Sequence, residues 1–163
     1  MHSDTTNFSK KVSVYPMLMK PSAIKEIVID GHSLTIESFV AVARYGAKVS
    51  LAPEALEAMK KSRALAEKIA AEKRVAYGIT TGFGDFQNVA VPEEMSNQLS
   101  TNLILSHCTA HGDPYSEEVV RGMLLLRANA LCGGVSGVRP IIVEMFIDML
   151  NKNVVPVVPQ KGS

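Results

Sequence analysis

The chain has 163 residues, of which 47% are hydrophobic and 20% charged, a composition typical of a folded globular protein and unlike that of a disordered segment. Its formal net charge of +1 at pH 7 gives no overall field that would attract nucleic acid or an anionic membrane surface. No apolar run has the length of a transmembrane helix, and the two cysteines form neither a C-x-x-C pair nor a disulfide framework, so we expect a reduced, cytoplasmic protein.

The first elements in chain order are a tail and a short β-rich segment. Residues 1–21 show no hydrophobic periodicity, which indicates a loose N-terminal tail and makes a poor signal peptide. Residues 26–30 form a short β-like run that ends in the strong turn pair Asp30-Gly31. Residues 34–36 follow as a possible return strand. The sequence therefore predicts a small β hairpin near the start.

Helical patterns dominate the rest of the chain. The predicted helices run from the N-cap Thr35 to the stop at Gly46, from Pro53 to about Arg74, from Pro92 to Gly112, from Ser116 to Leu131 and from Ser136 to about Asn151. No internal repeat or low-complexity tract is present. The predicted fold class is therefore mainly α with one small β hairpin, and residues 22–163 are expected to form a single helical domain.

A glycine-rich stretch, Tyr77–Gly84, separates the second and third predicted helices and reads Y-G-I-T-T-G-F-G. Its glycines permit positive φ and close approach of the backbone to a ligand. The glycine order differs from G-x-G-x-x-G, and no G-K-S/T follows, so neither a dinucleotide nor a phosphate loop is indicated. Two interpretations remain open from the residues alone: a loop with a buried tyrosine, or a ligand loop in which the Tyr77 phenol accepts a proton.

Polar side chains cluster on the third predicted helix. Asn102 and Ser106 are four residues apart and share a face, and His107 lies about 100° further round. A lone helical histidine is more often structural than catalytic, so both roles stay open for His107. His111 is four residues beyond it, but no further ligands accompany this pair, and no metal site is predicted.

Three arginines follow on the fourth and fifth predicted helices. Arg121 and Arg127 are interpreted as surface residues or members of inter-helix ion pairs. Arg139 opens a helix, where a cation is unfavourable to the helix dipole. Its presence there requires another explanation, such as a carboxylate across an interface.

Taken together, these motifs resemble the aromatic amino-acid ammonia-lyases and aminomutases. The stretch Y-G-I-T-T-G-F-G is similar to the family's Y-G-[IV]-[NT]-T-G-[FY]-G signature. Further matches are Asn102–His107 to an N-L-x-x-S-H helix, Arg121–Leu131 to R-x-x-x-x-x-R-x-N-x-L, Gly137–Pro140 to S-[GA]-[VI]-R, and Pro159–Ser163 to P-x-K-G-S. The resemblance runs in unbroken order over roughly residues 25 to 163, and within the family it is nearest to the histidine ammonia-lyases.

The resemblance implies a fold, a reaction and a set of site residues. The fold would be the helical N-terminal part of the ammonia-lyase, or fumarase/aspartase-like, fold. The reaction would be elimination of ammonia from L-histidine to urocanate, a step of histidine catabolism, with Tyr77 as the base and a methylidene-imidazolone (MIO) as electrophile. The residues implied in substrate binding or in a lid are Gly78, Thr81, Gly82, Phe83, Gly84, Asn102, Ser106 and His107. In the family, a Ser-His pair at the last two positions accompanies imidazole-bearing substrates.

One departure from the family concerns the electrophile. In relatives, the K-G-S that matches Lys161–Ser163 precedes an Ala-Ser-Gly, which forms the MIO, by a few residues. No Ala-Ser-Gly occurs among the 163 residues. We therefore expect the chain alone to be inactive, as a fragment, as one piece of a cleaved polypeptide, or as one subunit of a split enzyme.

Partners and alternatives complete the expectations. Family members are homotetramers, and apolar stripes around Met95, residues 124–126 and residues 141–150 exceed what one domain of this size easily buries. We therefore expect a homo-oligomer, binding of the missing C-terminal remainder, or both, with an amino acid as substrate and neither nucleic acid nor membrane as partner. Two alternatives remain open: a phenylalanine or tyrosine ammonia-lyase or 2,3-aminomutase, and a non-catalytic helical binding module.

Overall fold

The computed structural model describes residues 19–76, 79–81 and 96–162. The helices are α1 (Ile36–Tyr45), α2 (Pro53–Ala71), α3 (Ser96–His107), α4 (Glu117–Cys132) and α5 (Pro140–Asn151), and the strands are β1 (Glu26–Ile29), β2 (Lys48–Leu51), β3 (Ala110–Pro114) and β4 (Pro159–Gly162). This mainly helical architecture confirms the predicted fold class. In the described part of the chain, no helix has both the length and the apolarity that crossing a bilayer requires. Most of the predicted tail, residues 1–18, lies outside the described residues.

Helix α1 begins and ends where the sequence predicts. The Thr35 hydroxyl accepts a hydrogen bond from the backbone N–H of Ser38 at 3.2 Å, which satisfies one of the free donors of the first turn. At the other end, Gly46 adopts φ 69° and ψ 27°, a left-handed conformation that glycine reaches without steric cost. Both capping predictions for this helix are confirmed.

The predicted hairpin is wrong, because β1 pairs in parallel with β2 and not with residues 34–36. Its turn pair does not reverse the chain. Instead, an Asp30 carboxylate oxygen accepts hydrogen bonds from the backbone N–H groups of His32 and Ser33, both at 2.8 Å. This local turn leads the chain into the cap of α1. Helix α1 then crosses over to β2, as a parallel pair requires.

Gly31 allows the loop after β1 to pack closely on the end of α4. A Cβ atom at Gly31 would lie 2.6 Å from the Gly133 Cα, and its φ is 91°, so no other residue fits without strain. The Gly31 N–H donates a hydrogen bond to the Asn129 side-chain oxygen at 3.1 Å. Asn129, a member of the matched R-x-x-x-x-x-R-x-N-x-L motif, therefore holds this loop against α4.

The hydrophobic core lies where α1, α4 and α5 pack against the parallel strand pair and the start of α2. Its most completely buried large side chains are Ile29, Val42, Met59, Leu125 and Val143. Burying an aliphatic side chain of this size contributes about 1.5–3 kcal/mol. In the described part of the chain, α3 and the β3–β4 pair contribute no residue to this core.

Arg121 on α4 is buried, which overturns its interpretation as a surface or ion-pair residue. Its Nε and Nη2 donate to the Val42 carbonyl at 3.3 and 3.0 Å. Its Nη1 donates to the Leu150 carbonyl at 3.1 Å and to the Asn153 side chain at 2.8 Å. Burial lowers the pKa of the guanidinium. The two carbonyls belong to the last turns of α1 and α5, where partial negative charge accumulates, and this charge takes the place of a carboxylate. Arg127, by contrast, is exposed.

Two further boundaries differ from the sequence prediction. Helix α5 begins at Pro140 with Arg139 as its N-cap, and not at a cap on Ser136, because proline fits the first helical position. Helix α3 ends at His107, short of Gly112, and residues 110–114 instead form β3, which pairs antiparallel with β4. The predicted start of this helix, at Pro92, lies outside the described residues.

Candidate substrate-binding site

The polar candidates of the third helix lie on the exposed C-terminal half of α3. Asn102, Ser106 and His107 are all exposed. Exposure leaves them available to a ligand, because nothing in the core competes for their polar groups. Asn102 accepts a hydrogen bond from the Gln98 amide, one turn earlier, at 2.8 Å. This bond holds the Asn102 oxygen along the helix surface.

Ser106 and His107 meet at a single backbone carbonyl. The Ser106 hydroxyl donates to the carbonyl oxygen of Leu103 at 2.9 Å. The Nδ1 atom of His107 lies 2.9 Å from the same oxygen and 2.9 Å from the Ser106 Oγ. These contacts fix the imidazole ring at the end of α3. Sequence reasoning proposed both side chains as candidates but could not indicate the carbonyl, since a backbone atom leaves no signal in the residue pattern.

The glycine-rich stretch is described only in part. Residues Tyr77 and Gly78 and residues 82–84 lie outside the described residues, so their predicted roles remain predictions. Thr81 is 2% exposed, which makes it a buried part of the loop's middle.

A compact turn forms the entry to this stretch. The Ala76 carbonyl accepts hydrogen bonds from the N–H groups of Ile79 and Thr80 at 3.1 and 3.0 Å. The Thr80 hydroxyl accepts from the Ala76 N–H at 2.9 Å and donates to the Arg74 carbonyl. Thr80, which the sequence analysis did not assign to the site, therefore ties the loop to the end of α2.

The predicted pair His107 and His111 is not a helical pair. His107 ends α3, whereas His111 lies on β3, so the spacing of four residues no longer places the two rings on one helix face. In the part of the chain that the structure describes, no three His, Cys, Asp or Glu side chains come together as a metal site would require.

An apolar groove lies beside the core, since the core residue Leu124 also lines it. It has a volume of about 530 Å³. Its walls come from α4, α5 and the extended segment before β4, and they include Met123, Leu126, Phe146 and Pro156. Leu126 and Met145, which lies nearby on α5, are 52% and 55% exposed. Two of the three predicted apolar stripes are therefore partly open, and Met95 of the third lies outside the described residues.

Comparison with known proteins places the chain among lyases. The sequence profile of the family described as aromatic amino acid lyase matches residues 34–163. A histidine ammonia-lyase of Alkaliphilus metalliredigens is 49% identical over 140 residues, which cover 86% of this chain and 28% of that relative. A histidine ammonia-lyase of Caldanaerobacter subterraneus is 53% identical with the same coverage. The chain therefore spans about 28% of the length of the curated relatives it matches.

Solved structures with a similar fold include an aminomutase, an ergothioneine-degrading enzyme and an ammonia-lyase. Tyrosine aminomutase of Streptomyces globisporus superposes with a TM-score of 0.80 at 36% identity, over 85% of this chain and 26% of that one. Ergothionase of Treponema denticola superposes with a TM-score of 0.79 at 29% identity, over 85% of this chain and 28% of that one. Histidine ammonia-lyase of Trypanosoma cruzi superposes with a TM-score of 0.75 at 35% identity, over 85% of this chain and 26% of that one. The fold by itself thus does not separate these reactions.

Proposed function

Because this chain belongs to the aromatic amino acid lyase family, we propose that the complete protein eliminates ammonia from L-histidine to give urocanate. This chain would supply one side of the active site, formed by the glycine-rich stretch and the end of α3. The cytoplasm is its proposed compartment, since both cysteines are free thiols, as a reducing environment leaves them.

The observation that carries this proposal is the Ser106–His107 pair. The pair lies exposed at the end of α3 with its imidazole fixed through Nδ1, so the rest of the ring can meet a ligand. A ring nitrogen pairs with a substrate imidazole by a hydrogen bond, which an apolar side chain at this position could not make. The identity of 49% and 53% to two histidine ammonia-lyases supports the same substrate.

A tyrosine-directed aminomutase is the second candidate. Its support is the superposition on tyrosine aminomutase, whose TM-score of 0.80 exceeds the 0.75 for histidine ammonia-lyase. The difference is small, and the two identities of 36% and 35% are nearly equal. The higher sequence identity to the curated histidine ammonia-lyases, 49% and 53%, therefore supports histidine as the proposed substrate.

In the proposed mechanism, this chain binds the substrate and removes a proton. Tyr77 is proposed as the base that takes the proton from the β-carbon, within hydrogen-bond reach of about 3 Å in the closed site. The flanking residues, Gly78 to Gly84, would cover the substrate and exclude water. His107 and Ser106 would orient its ring, and Asn102 would offer its amide from the same helix.

The electrophile is not built from the residues of this chain. The MIO group that the family resemblance implies would activate the amino group for departure. Its precursor, Ala-Ser-Gly, does not occur among the 163 residues, so the residues present do not fit that group. We assign no step through it to this chain, and we propose that it comes from a further segment of the complete protein.

The apolar groove supports a role for such a further segment. Its α4 wall carries Met123 and Leu126, which are 43% and 52% exposed. Ile141 and Met145 on α5, outside the groove's lining, are 50% and 55% exposed. Exposed apolar surface on neighbouring helices is typical of a face that another part of a larger fold or another subunit covers. We propose that the remainder of the complete protein, in one chain or in a homo-oligomer, covers this groove.

Substrate selectivity in the complete protein tests the proposal. Replacing His107 with Phe removes the ring nitrogen that would pair with the substrate imidazole, a loss of roughly 1–3 kcal/mol. Turnover of histidine should therefore fall roughly 5-fold to 150-fold, while turnover of phenylalanine should fall less. The products, urocanate or a β-amino acid, separate elimination from amino-group migration.

The matched control is His111→Phe, which changes an exposed histidine on β3. It should leave the ratio of histidine to phenylalanine turnover unchanged. Equal losses on both substrates for His107→Phe would remove His107 from the specificity site. A β-amino acid as the main product would favour the aminomutase.

A further inference from the structure

We infer that His107 is held as the Nδ1–H tautomer, so that its Nε2 is a hydrogen-bond acceptor and the site selects a ring that donates an N–H or O–H. The tautomer is a property of this chain and stands whether or not the complete protein uses histidine. The identity of the selected ring rests on the proposed function.

The Leu103 carbonyl fixes the proton on Nδ1. The distance from His107 Nδ1 to this oxygen is 2.9 Å, the usual length of an N–H···O hydrogen bond. A carbonyl oxygen is an acceptor only. An unprotonated Nδ1 at this distance would place its lone pair against the lone pairs of the oxygen, so Nδ1 must carry the hydrogen.

Ser106 supports the same assignment. Its hydroxyl lies 2.9 Å from both the Leu103 oxygen and His107 Nδ1. If the hydroxyl donates to the carbonyl, its own lone pairs face Nδ1–H, and every contact in the triangle joins a donor to an acceptor. If the hydroxyl donated to Nδ1 instead, the carbonyl and Nδ1 would repel each other across 2.9 Å. Ser106 is therefore a positioning residue that acts on the substrate through His107.

The consequence lies at the other ring nitrogen. In a neutral imidazole with hydrogen on Nδ1, Nε2 has a lone pair and no hydrogen. The His107 side chain is exposed, and Nε2 makes no hydrogen bond to any of the described residues. A substrate imidazole that presents N–H satisfies this acceptor, and so does a phenol O–H. A phenyl ring or a ring nitrogen blocked by a methyl group does not.

Nitrogen-15 NMR of the full 163-residue chain tests the tautomer directly. The spectrum is recorded at an alkaline pH where the imidazoles are neutral, and His107→Gln identifies the His107 signals by their loss. We expect a protonated Nδ1 and an unprotonated Nε2 for His107. His111 is the internal reference, since it is exposed on β3 and should show the Nε2–H tautomer that histidine prefers in water. The two residues should thus show opposite orders of their ring-nitrogen shifts.

The variant Ser106→Ala separates the two possible hydrogen-bond directions. It leaves the Leu103 carbonyl in place, so the Nδ1–H tautomer should persist in the variant. An Nε2–H tautomer at His107 in the unchanged chain, or a mixture equal to that of His111, would overturn the inference. Neither result bears on whether histidine is the substrate, which the His107→Phe selectivity measurement decides, so failure of one proposal can be told from failure of the other.

Discussion

Replacing Arg121 with Met tests whether one buried guanidinium joins three helices of the core. The guanidinium of α4 reaches the Val42 carbonyl of α1 and the Leu150 carbonyl of α5. Methionine has a similar length and no donor, so it keeps much of the packing and removes the hydrogen bonds. The variant therefore isolates the polar part of the contact.

The expected loss follows from the two carbonyls. Val42 and Leu150 are 0% and 3% exposed, so water does not readily replace the lost donors. A buried acceptor that loses its partner costs about 1–3 kcal/mol. This cost applies to the Val42 carbonyl, whereas the Leu150 carbonyl keeps a hydrogen bond from the Asn153 N–H at 3.4 Å. Removing a buried charge returns part of this cost. We expect the free energy of unfolding to fall by about 2–4 kcal/mol, a change large compared with the net stability of a small domain.

Urea unfolding of the chain, followed by circular dichroism, measures this change. Arg127→Met is the matched control, because Arg127 lies on the same helix and is exposed; its effect should stay within about 0.5 kcal/mol. Arg121→Lys keeps the charge but lacks the fork that spans both carbonyls, so it should not restore the stability. An Arg121→Met variant as stable as the unchanged chain, or a fully stable Arg121→Lys, would refute the reasoning.

Three other predictions use different residues. The backbone N–H groups of His32 and Ser33 lower the Asp30 pKa from 3.8 to about 2. A carboxyl whose pKa is lower in the folded than in the unfolded chain stabilises the fold at pH values above its unfolded pKa. The difference in urea midpoint between the unchanged chain and Asp30→Asn should therefore be full at neutral pH and vanish as the pH falls from 3.8 towards 2. Burial raises the pKa of the Cys132 thiol to about 11, whereas Cys108 is exposed. Iodoacetamide at mildly alkaline pH should therefore label one cysteine in the native chain and two in the unfolded chain. Two labels on the native chain would contradict the burial of Cys132. In the complete protein, Tyr77→Phe should preserve assembly and lower turnover at least about 100-fold; retained turnover would remove Tyr77 from the proposed mechanism.

Local signals explain which parts of the fold could be predicted. Helix α1 is defined by residues that act on their own backbone: Thr35 caps its first turn, and Gly46 accepts the left-handed conformation at its end. The predicted hairpin was wrong because the Asp30-Gly31 pair also fits turns that do not join two antiparallel strands. The observed arrangement includes a long-range contact, the hydrogen bond from Gly31 to Asn129, which the local pattern does not contain.

The burial of Arg121 could not be predicted for a related reason. Arg121 lies in a helix with a charged first turn, and its spacing alone fits a surface ion pair. In the structure, the C-terminal ends of α1 and α5 lie next to this part of α4, and their Val42 and Leu150 carbonyls accept hydrogen bonds from the guanidinium. The carbonyls that receive it are backbone groups, so no side chain in the sequence marks the site. The β3–β4 pair was missed in the same way, since its residues carry no alternating pattern and are almost all exposed.

The matched family motifs divide into two physical kinds, and this division limits what each can indicate about function. In the R-x-x-x-x-x-R-x-N-x-L stretch, Arg121 and Asn129 are committed to the scaffold by hydrogen bonds to α1, α5 and the loop after β1. On α3, by contrast, Ser106 and His107 are exposed and make hydrogen bonds only to each other and to Leu103 among the described residues. Among the described residues, no scaffold contact therefore fixes the identities of these two side chains, and under the proposed function they would bear on the choice of substrate.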